Sequence, residues 1–282
     1  MIWPFSIISE NKQYQKDKEF VDNHYFSIFG KKVDWENPKT FNEKIQVFKI
    51  SKESEKLWPY VDKVEVRKYV EKTIGAKYLI PIIGIYNNAD EINFDELPNK
   101  FVLKANHGSG WNIICKDKIT LNWEKTKQTL NSWLVQNFYN RYRERQYKLI
   151  KPRIIVEKFI GRTNVDLIDY KFFCFKGKPL YIEADTDRSM AHKRNFYNLS
   201  WKKIPLTIGY PNNPQKIKKP KMLSKMINTS KILSKNFRHV RVDLYSIEKK
   251  IYFSELTFTP DNGTKKFIPE KYNLIFGKYF TP

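Results

Sequence analysis

The stretch HVRVDLYSIEKKIYFSELTFTPDNG, residues 239–263, constrains the chain more than any other. Two β-branched and aromatic runs flank a short polar stretch, which predicts strand, turn, strand. With Glu248, Lys249 and Lys250 as the turn, the numbers of facing residues add to 498, so Asp243 faces Glu255 and Arg241 faces Thr257. Side chains two apart share a sheet face, which puts these four polar groups together. Val240, Val242, Leu244, Leu256 and Phe258 take the other face. Facing carboxylates repel and destabilise a sheet, a cost that makes sense if a divalent cation sits between them. Mg2+ takes one or two carboxylates and completes its shell with phosphate oxygens. Arg241 beside them would hold a phosphoryl group. The plainer reading is a solvated outer face carrying Asp–Arg and Glu–Lys pairs.

A packed core is available, because 41% of the 282 residues are apolar and 16% aromatic. That excludes wholesale disorder. No apolar run approaches the roughly 20 residues that span a bilayer. The start, MIWPFSIISENK, has no basic leader or small-residue cleavage site, so no signal peptide is expected. Cys115 and Cys174 are too few for a disulfide framework or a zinc site, and the cytoplasm is the expected compartment. A net charge of +22 admits three readings. One is nucleic acid, one is an anionic polymer or a membrane with an anionic lipid-linked substrate, and one is lysine-rich genomic bias. Base-edge reading favours arginine, which is scarce beside lysine, so nucleic acid is the weakest.

Residues 10–56 read mostly helical, with Phe41, Ile45 and Phe48 at helical spacing. A second helix spans 62–73, started by Asp62 and ended by Gly75. YLIPIIGIY reads as a buried strand or strand pair, and 87–99 as a loop. Strands then recur in FVLKAN, WNIICK, RIIVEKFI, DYKFFCFKGKPLYIEAD, HVRVDLY and IYFSELTF. Helices are expected over 122–149 and within 214–236. The pattern is α+β, with antiparallel hairpins rather than a doubly wound sheet.

FVLKANHGSGWNII, residues 101–114, joins two of these strands through a lysine and a small-residue loop. Gly108, Ser109 and Gly110 let backbone N–H groups approach phosphate oxygens, and Lys104 adds a point charge. The lysine precedes the glycines and a strand follows, so this is not the GxxxxGK[ST] loop. His107 stands where G-x-S-x-G needs its first glycine, so a serine hydrolase is a poor fit.

Taken in order, DK at 62–63, FVLKANHGSG, IIVEKFI, DYKFFCFKGKP and RVDLY…FSELTFTP resemble the ATP-grasp superfamily. More closely they resemble the TupA-like ATP-grasp proteins of capsule and teichuronopeptide synthesis clusters, often labelled glycosyltransferases. The resemblance covers about residues 40–275. It implies two α+β subdomains with antiparallel sheets clasping a nucleotide. The chain would divide into a helical N-terminal segment (1–60), a small subdomain with the glycine loop (61–156) and a large subdomain with the metal hairpin (157–282). It implies ATP and Mg2+ as cofactors. Lys63 and Lys104 would hold phosphates, and Glu157, Lys158, Phe159 and Ile160 the adenine. Asp243 and Glu255 would hold metal, with Arg241 on the transferred phosphoryl group. Thr257 stands where the superfamily often has asparagine, which leaves its place in the metal shell to a neutral hydroxyl. His107 is a further phosphate candidate, beside a role in packing its loop. Asp169 and Lys171 would face the nucleotide or form a cross-strand salt bridge. Asp185, Arg188 and Arg194, read as a polar loop, are candidates for the acceptor or for a solvated surface.

The reaction implied is ATP-dependent carboxylate–amine ligation through an acylphosphate, with a uronic-acid-type carboxylate and an amino acid or amine. An anionic glycan or its lipid-linked precursor is the expected partner, with room for peripheral contact to the inner face of an anionic membrane. Alternatives are a glycosyltransferase using a nucleotide sugar, to which DTD at 185–187 is a cheap match, an ATP-grasp kinase, and a basic nucleic-acid binder.

Overall fold

The computed structural model describes residues 12–161, 167–188 and 190–281. The N-terminal helices are α1 (Lys12–Phe29), α2 (Phe41–Lys49), α3 (Lys52–Glu55), α4 (Trp58–Val61) and α5 (Val66–Ile74). Thr40 caps α2, accepting from the Glu43 backbone N–H while the Glu43 carboxylate accepts from the Thr40 N–H, a reciprocal capping box. The Asp62 side chain accepts from the Val64 and Glu65 N–H groups. That turn delays α5 to Val66, so Lys63 precedes the helix instead of opening it.

Next come β1 (Ile82–Tyr86), β2 (Phe101–Ala105), β3 (Asn112–Cys115), α6 (Trp123–Leu134), α7 (Tyr139–Tyr142) and β4 (Ile154–Lys158). The helix expected over 122–149 breaks after Leu134. The Asn137 side chain captures the Tyr139 N–H, and Arg143 turns left-handed, a local competition typical of asparagine. The four strands form an antiparallel sheet in the order β1-β4-β2-β3. On β2, Phe101, Leu103 and Ala105 are buried, the first two in a small core with Leu130 of α6. β4 runs through Lys158, so a division at 156/157 would cut a strand.

The remainder gives β5 (Asp169–Phe175), β6 (Lys178–Thr186), β7 (Lys193–Tyr197), β8 (Lys203–Ile204), β9 (Thr207–Ile208), α8 (Leu223–Ser234), β10 (His239–Ile247), β11 (Lys250–Thr257), β12 (Phe267–Ile268) and α9 (Lys271–Tyr279). Six of these strands form a second antiparallel sheet, β11-β10-β5-β6-β7-β8, and β9 pairs with β12. α8 covers one face, where Cys174 meets the Ser230 carbonyl. α2 and α9 cover part of the other, with Phe41 and Phe276 against Phe173. The expected α+β class with antiparallel hairpins holds. α9 and the short strands β7, β8, β9 and β12 went unread in the sequence.

His239 sits in the aromatic end of this core, 3% exposed, among Phe41, Phe175 and Phe280. Burial drives its pKa down to about 3. The unfolded chain therefore binds a proton below about pH 6.5 that the folded chain refuses, and stability falls as pH drops from 6.5 towards 3. His239→Phe keeps the ring and removes the titration. Urea midpoints measured from pH 7 to 4 are expected to fall less steeply in the variant than in the wild type.

Candidate nucleotide and metal site

A cleft of about 360 Å3 opens between the two sheets. Its upper wall is the small sheet, with Val102 and Lys104 of β2, Ile114 of β3 and Glu157 of β4. Strand alternation puts these side chains opposite the small core. Its lower wall is the large sheet, with Asp169 and Lys171 of β5, Tyr245 of β10, and Ser254 and Glu255 of β11. Lys158, Phe159, Ile160 and Gly161 form the end where the chain crosses between the sheets.

Lys63 and Lys104 are fixed to one frame. The Asp62 carboxylate accepts from Asn106 Nδ2 and from Arg153, and the Lys63 N–H donates to the Asn106 carbonyl. This ties the turn before α5 to the end of β2. Lys63 Nζ donates to the Gly108 carbonyl at 2.5 Å. Burial lowers its pKa against the pull of Glu255. Lys104 Nζ donates to Glu157 at 2.6 Å. Burial opposes that charge as well, but Glu157, Tyr245 and Glu255 together outweigh it and raise the pKa. In the loop, Gly110 has φ +75°, and a Cβ on Gly108 would strike the Trp111 ring at 2.4 Å. Both positions therefore need glycine. His107 points elsewhere: its Nε2 meets the Trp133 carbonyl at 3.0 Å and its ring packs on Trp111. The structure gives it the packing role and no place on the cleft wall.

The hairpin register is Asp243 to Glu255 and Arg241 to Thr257, reached by a route the sequence reading missed. The turn is only Glu248–Lys249, because Lys250 already pairs with Ile247. A β-bulge at Ser254 then restores the offset. Both Asp243 oxygens are taken: Arg241 donates to each at 2.8 and 2.7 Å, and Lys171 Nζ to one at 2.7 Å. Burial still pushes Asp243 up to about 6, against Arg241 and Lys171. Glu255 differs. Burial again works against its charge, but Lys63, Lys171 and Arg241 prevail and hold its carboxyl at about 2. Thr257 Oγ1 donates to Glu255 at 2.9 Å. Glu255 lines the cleft, whereas Arg241, Asp243 and Thr257 do not, the first two being buried. Among the described residues, no group of three or more His, Cys, Asp or Glu side chains converges as a metal cage. The oxygen donors that could face an Mg2+ ion here are Glu255, with Asp243 and the Thr257 hydroxyl beside it. That fits an ion that takes few protein carboxylates and completes its shell with phosphate oxygens.

Lys171 also donates to Asp169, at 2.5 Å, and Arg188 donates to the same Asp169 oxygen at 2.9 Å. The Lys171–Asp169 pair runs along one strand, while the cross-strand salt bridge is Lys171 to Asp243, and both coexist with the cleft-facing position of Asp169 and Lys171. Asp185 and Arg194 depart from the polar loop expected of them. They sit on β6 and β7, buried and paired in register. Arg194 reaches Asp185 at 2.8 Å, Glu183 at 3.0 Å and Asp261 at 2.7 Å. Burial raises Glu183 to about 8 despite Arg194. Asp185 is therefore no open D-x-D ligand, and Arg188 alone of the three lines the cleft. Tyr245, Ser254 and Trp111 also line it and were not singled out in the sequence. Tyr245 shares the Asp243 face by strand period, a signal that was available. Ser254 needed the bulge to be known.

The two arginines predict different fates. Arg194→Met takes the buried cation from two carboxylates, Asp185 and Asp261, and is expected to cost about 3–5 kcal/mol in urea unfolding, if it folds at all. Arg188→Ala, 47% exposed at its side chain, is expected to stay within about 0.5 kcal/mol of wild type.

Solved structures similar to this chain include D-alanine–D-alanine ligase from Bacillus anthracis complexed with ATP. It is 16% identical with a TM-score of 0.41, over 70% of this chain and 53% of that one. An L-amino acid ligase from Bacillus licheniformis is 12% identical with a TM-score of 0.43, over 70% of this chain and 42% of that one. A RimK domain ATP-grasp protein from Sphaerobacter thermophilus is 9% identical with a TM-score of 0.42, over 80% and 67%. The chain spans about half the length of the first two. No curated protein matches it. A family model for TupA-like ATPgrasp matches residues 43–281, most of the chain, and the chain belongs to that family.

Proposed function

We propose that the protein is an ATP-dependent carboxylate–amine ligase that joins an amino acid or amine to a uronic-acid-type carboxylate of a cell-surface polysaccharide or its precursor. The observation that carries this reading is one cleft holding Lys63, Lys104, the glycine loop and Glu255 together, next to the Glu157–Ile160 crossover. In the reaction, a substrate carboxylate oxygen attacks the γ-phosphorus of ATP and the bond to ADP breaks. The amine nitrogen then attacks the acyl carbon of the acylphosphate, phosphate leaves, and the nitrogen loses a proton.

Lys63 and Lys104 offset charge gathering on the phosphate oxygens. Glu255, with Asp243 and Thr257, would hold Mg2+, which when bound neutralises and orients phosphate oxygens. Arg241 is a positioning residue, since its guanidinium is spent on Asp243. Val102, Ile114 and Trp111 give the cleft apolar surface suited to a purine, and the loop at Ser109–Gly110 is placed to exclude water from an acylphosphate.

Thermal shift tests this first. At a hundredfold excess over Kd, a ligand adds about 2.7 kcal/mol, or about 5–10 °C for a chain of this size. ATP with Mg2+ is expected to give that shift in wild type and little in Lys104→Ala or Glu255→Gln. ADP release should then require both a uronic acid and an amine. A response to UDP-sugars with none to ATP would sink the proposal in favour of glycosyl transfer. Release of a stable phosphorylated acceptor without amide would mark a kinase.

A further inference from the structure

The positive charge is not spread along the chain. Residues 188–242 hold 14 of the 52 basic residues and none of the 30 acidic ones, so one fifth of the chain carries +14 of the +22. Genomic lysine bias would distribute the excess evenly, and it does not. Three of the arginines, Arg188, Arg194 and Arg241, turn inward to carboxylates. The lysines turn outward. Lys216, Lys218, Lys219 and Lys221 are exposed on the approach to α8. Lys225, Lys231 and Lys235 continue along α8 and its end, also exposed. None of these seven forms an ion pair with a described residue, and Lys225 rests on the Tyr78 ring.

This surface lies on the far side of the large sheet from the cleft. α8 buries Leu223, Met226 and Leu233 against the sheet face of Cys174, opposite the face of Lys171 and Asp243. The segment before α8 stays on that side, because Trp201, packed on Tyr170, donates to the Ile217 carbonyl. Lysines set to bind a substrate of the cleft would converge on it; these face away. Ile232 stands exposed among them, an apolar side chain that suits a lipid headgroup boundary better than a phosphodiester chain.

We propose that α8 and the lysine-rich segment leading into it form a docking surface for an anionic lipid bilayer, which holds the enzyme peripherally with its cleft open. No helix among the described residues is long and apolar enough to cross a membrane, so the attachment is electrostatic and reversible.

The test is co-sedimentation with vesicles of phosphatidylcholine, alone or with about a third phosphatidylglycerol. Binding is expected only to the anionic vesicles and should fade as salt rises. The combined variant Lys225→Gln, Lys231→Gln and Lys235→Gln is expected to weaken it by about a hundredfold, at about fivefold per charge. Lys266→Gln, Lys271→Gln and Lys278→Gln make the same charge change around α9 and should cost less than about fivefold in total. The ATP–Mg2+ thermal shift should survive in the α8 variant, which separates this proposal from the ligase reading. Should that variant fail to fold, Lys216→Gln, Lys218→Gln and Lys219→Gln take its place. Equal losses in the α8 and α9 variants, or equal binding to both vesicle types, would overturn the proposal. So would tighter binding to a short DNA duplex at the same salt, which would make the surface a nucleic-acid site.

Discussion

Asp243 is wholly enclosed, and the large sheet is organised by what that burial demands. An isolated carboxylate in the interior is too costly to keep charged. Arg241 and Lys171 meet the cost, yet each is itself a buried cation that needs more than one partner. Lys171 therefore also holds Asp169, and Asp169 holds Arg188. Arg241 also reaches towards Glu255. A second set, Arg194 with Glu183, Asp185 and Asp261, lies on the same face, with Glu183 and Asp185 on the next strand, opposite Lys171 and Asp169, and Arg194 on the one beyond. Such a lattice adds little net stability against apolar residues of the same size, but removing one of its enclosed members, Lys171, Arg241 or Asp243, is expensive, whereas Arg188 is the half-exposed end of it. It also forbids slippage, because a shift of one residue on any strand turns the charges into the apolar side. The lower wall of the cleft is thereby a rigid surface of fixed charges.

The cleft works across a gap between that wall and the small sheet. Lys63 is the strongest influence holding Glu255 ionised, and Glu255 is the strongest opposing the loss of charge on Lys63. In effect each is the other's counter-ion at a distance. A polyanionic phosphate with a divalent ion offers both a better partner: phosphate oxygens for Lys63 and a cation for Glu255. Ligand binding then replaces one weak cross-cleft attraction with two close ones, which favours approach of the two walls. Lys104 is held differently, by direct contact with Glu157 on its own sheet, so its position does not depend on closure.

Much of this was legible in the sequence because it follows from periodicity. Lys104 ends a strand whose alternate residues are apolar, so its side chain had to leave the small core. Asp169 shares a face with Lys171, and Asp243 with Arg241, by the same rule. The family resemblance, not periodicity, added Lys63 and the Glu157–Ile160 crossover. What periodicity cannot show is which polar groups are already satisfied by others. Arg194 read as a loop residue free for a substrate because nothing in EADTDRSMAHKRNFYN says that Glu183, Asp185 and Asp261 enclose it. His107 read as a phosphate candidate because its acceptor, the Trp133 carbonyl, lies 26 residues away in sequence. Long-range partners decide both cases. α9 was missed for another reason. Its run YNLIFGKYF is apolar on more than one side and contains Gly277, and only the Thr40 segment packed against that glycine explains it.

The hairpin shows how a correct register can follow from an incorrect turn. A three-residue turn makes facing numbers add to 498, and a two-residue turn makes them add to 497. The second rule continued unbroken would set Glu255 opposite Val242, on the apolar face under α8, and Ser254 opposite Asp243. The bulge at Ser254 absorbs the missing residue, so Glu255 returns to the polar face. It also explains a feature that neither simple register allows. Ser254 and Glu255 are consecutive, yet both line the cleft. In a regular strand neighbours point to opposite faces, and only a bulge lets two in succession reach the same side. The short turn and the bulge are thus one device. It brings a carboxylate and a hydroxyl side by side to the cleft wall, at the point where the buried lattice ends and the open site begins.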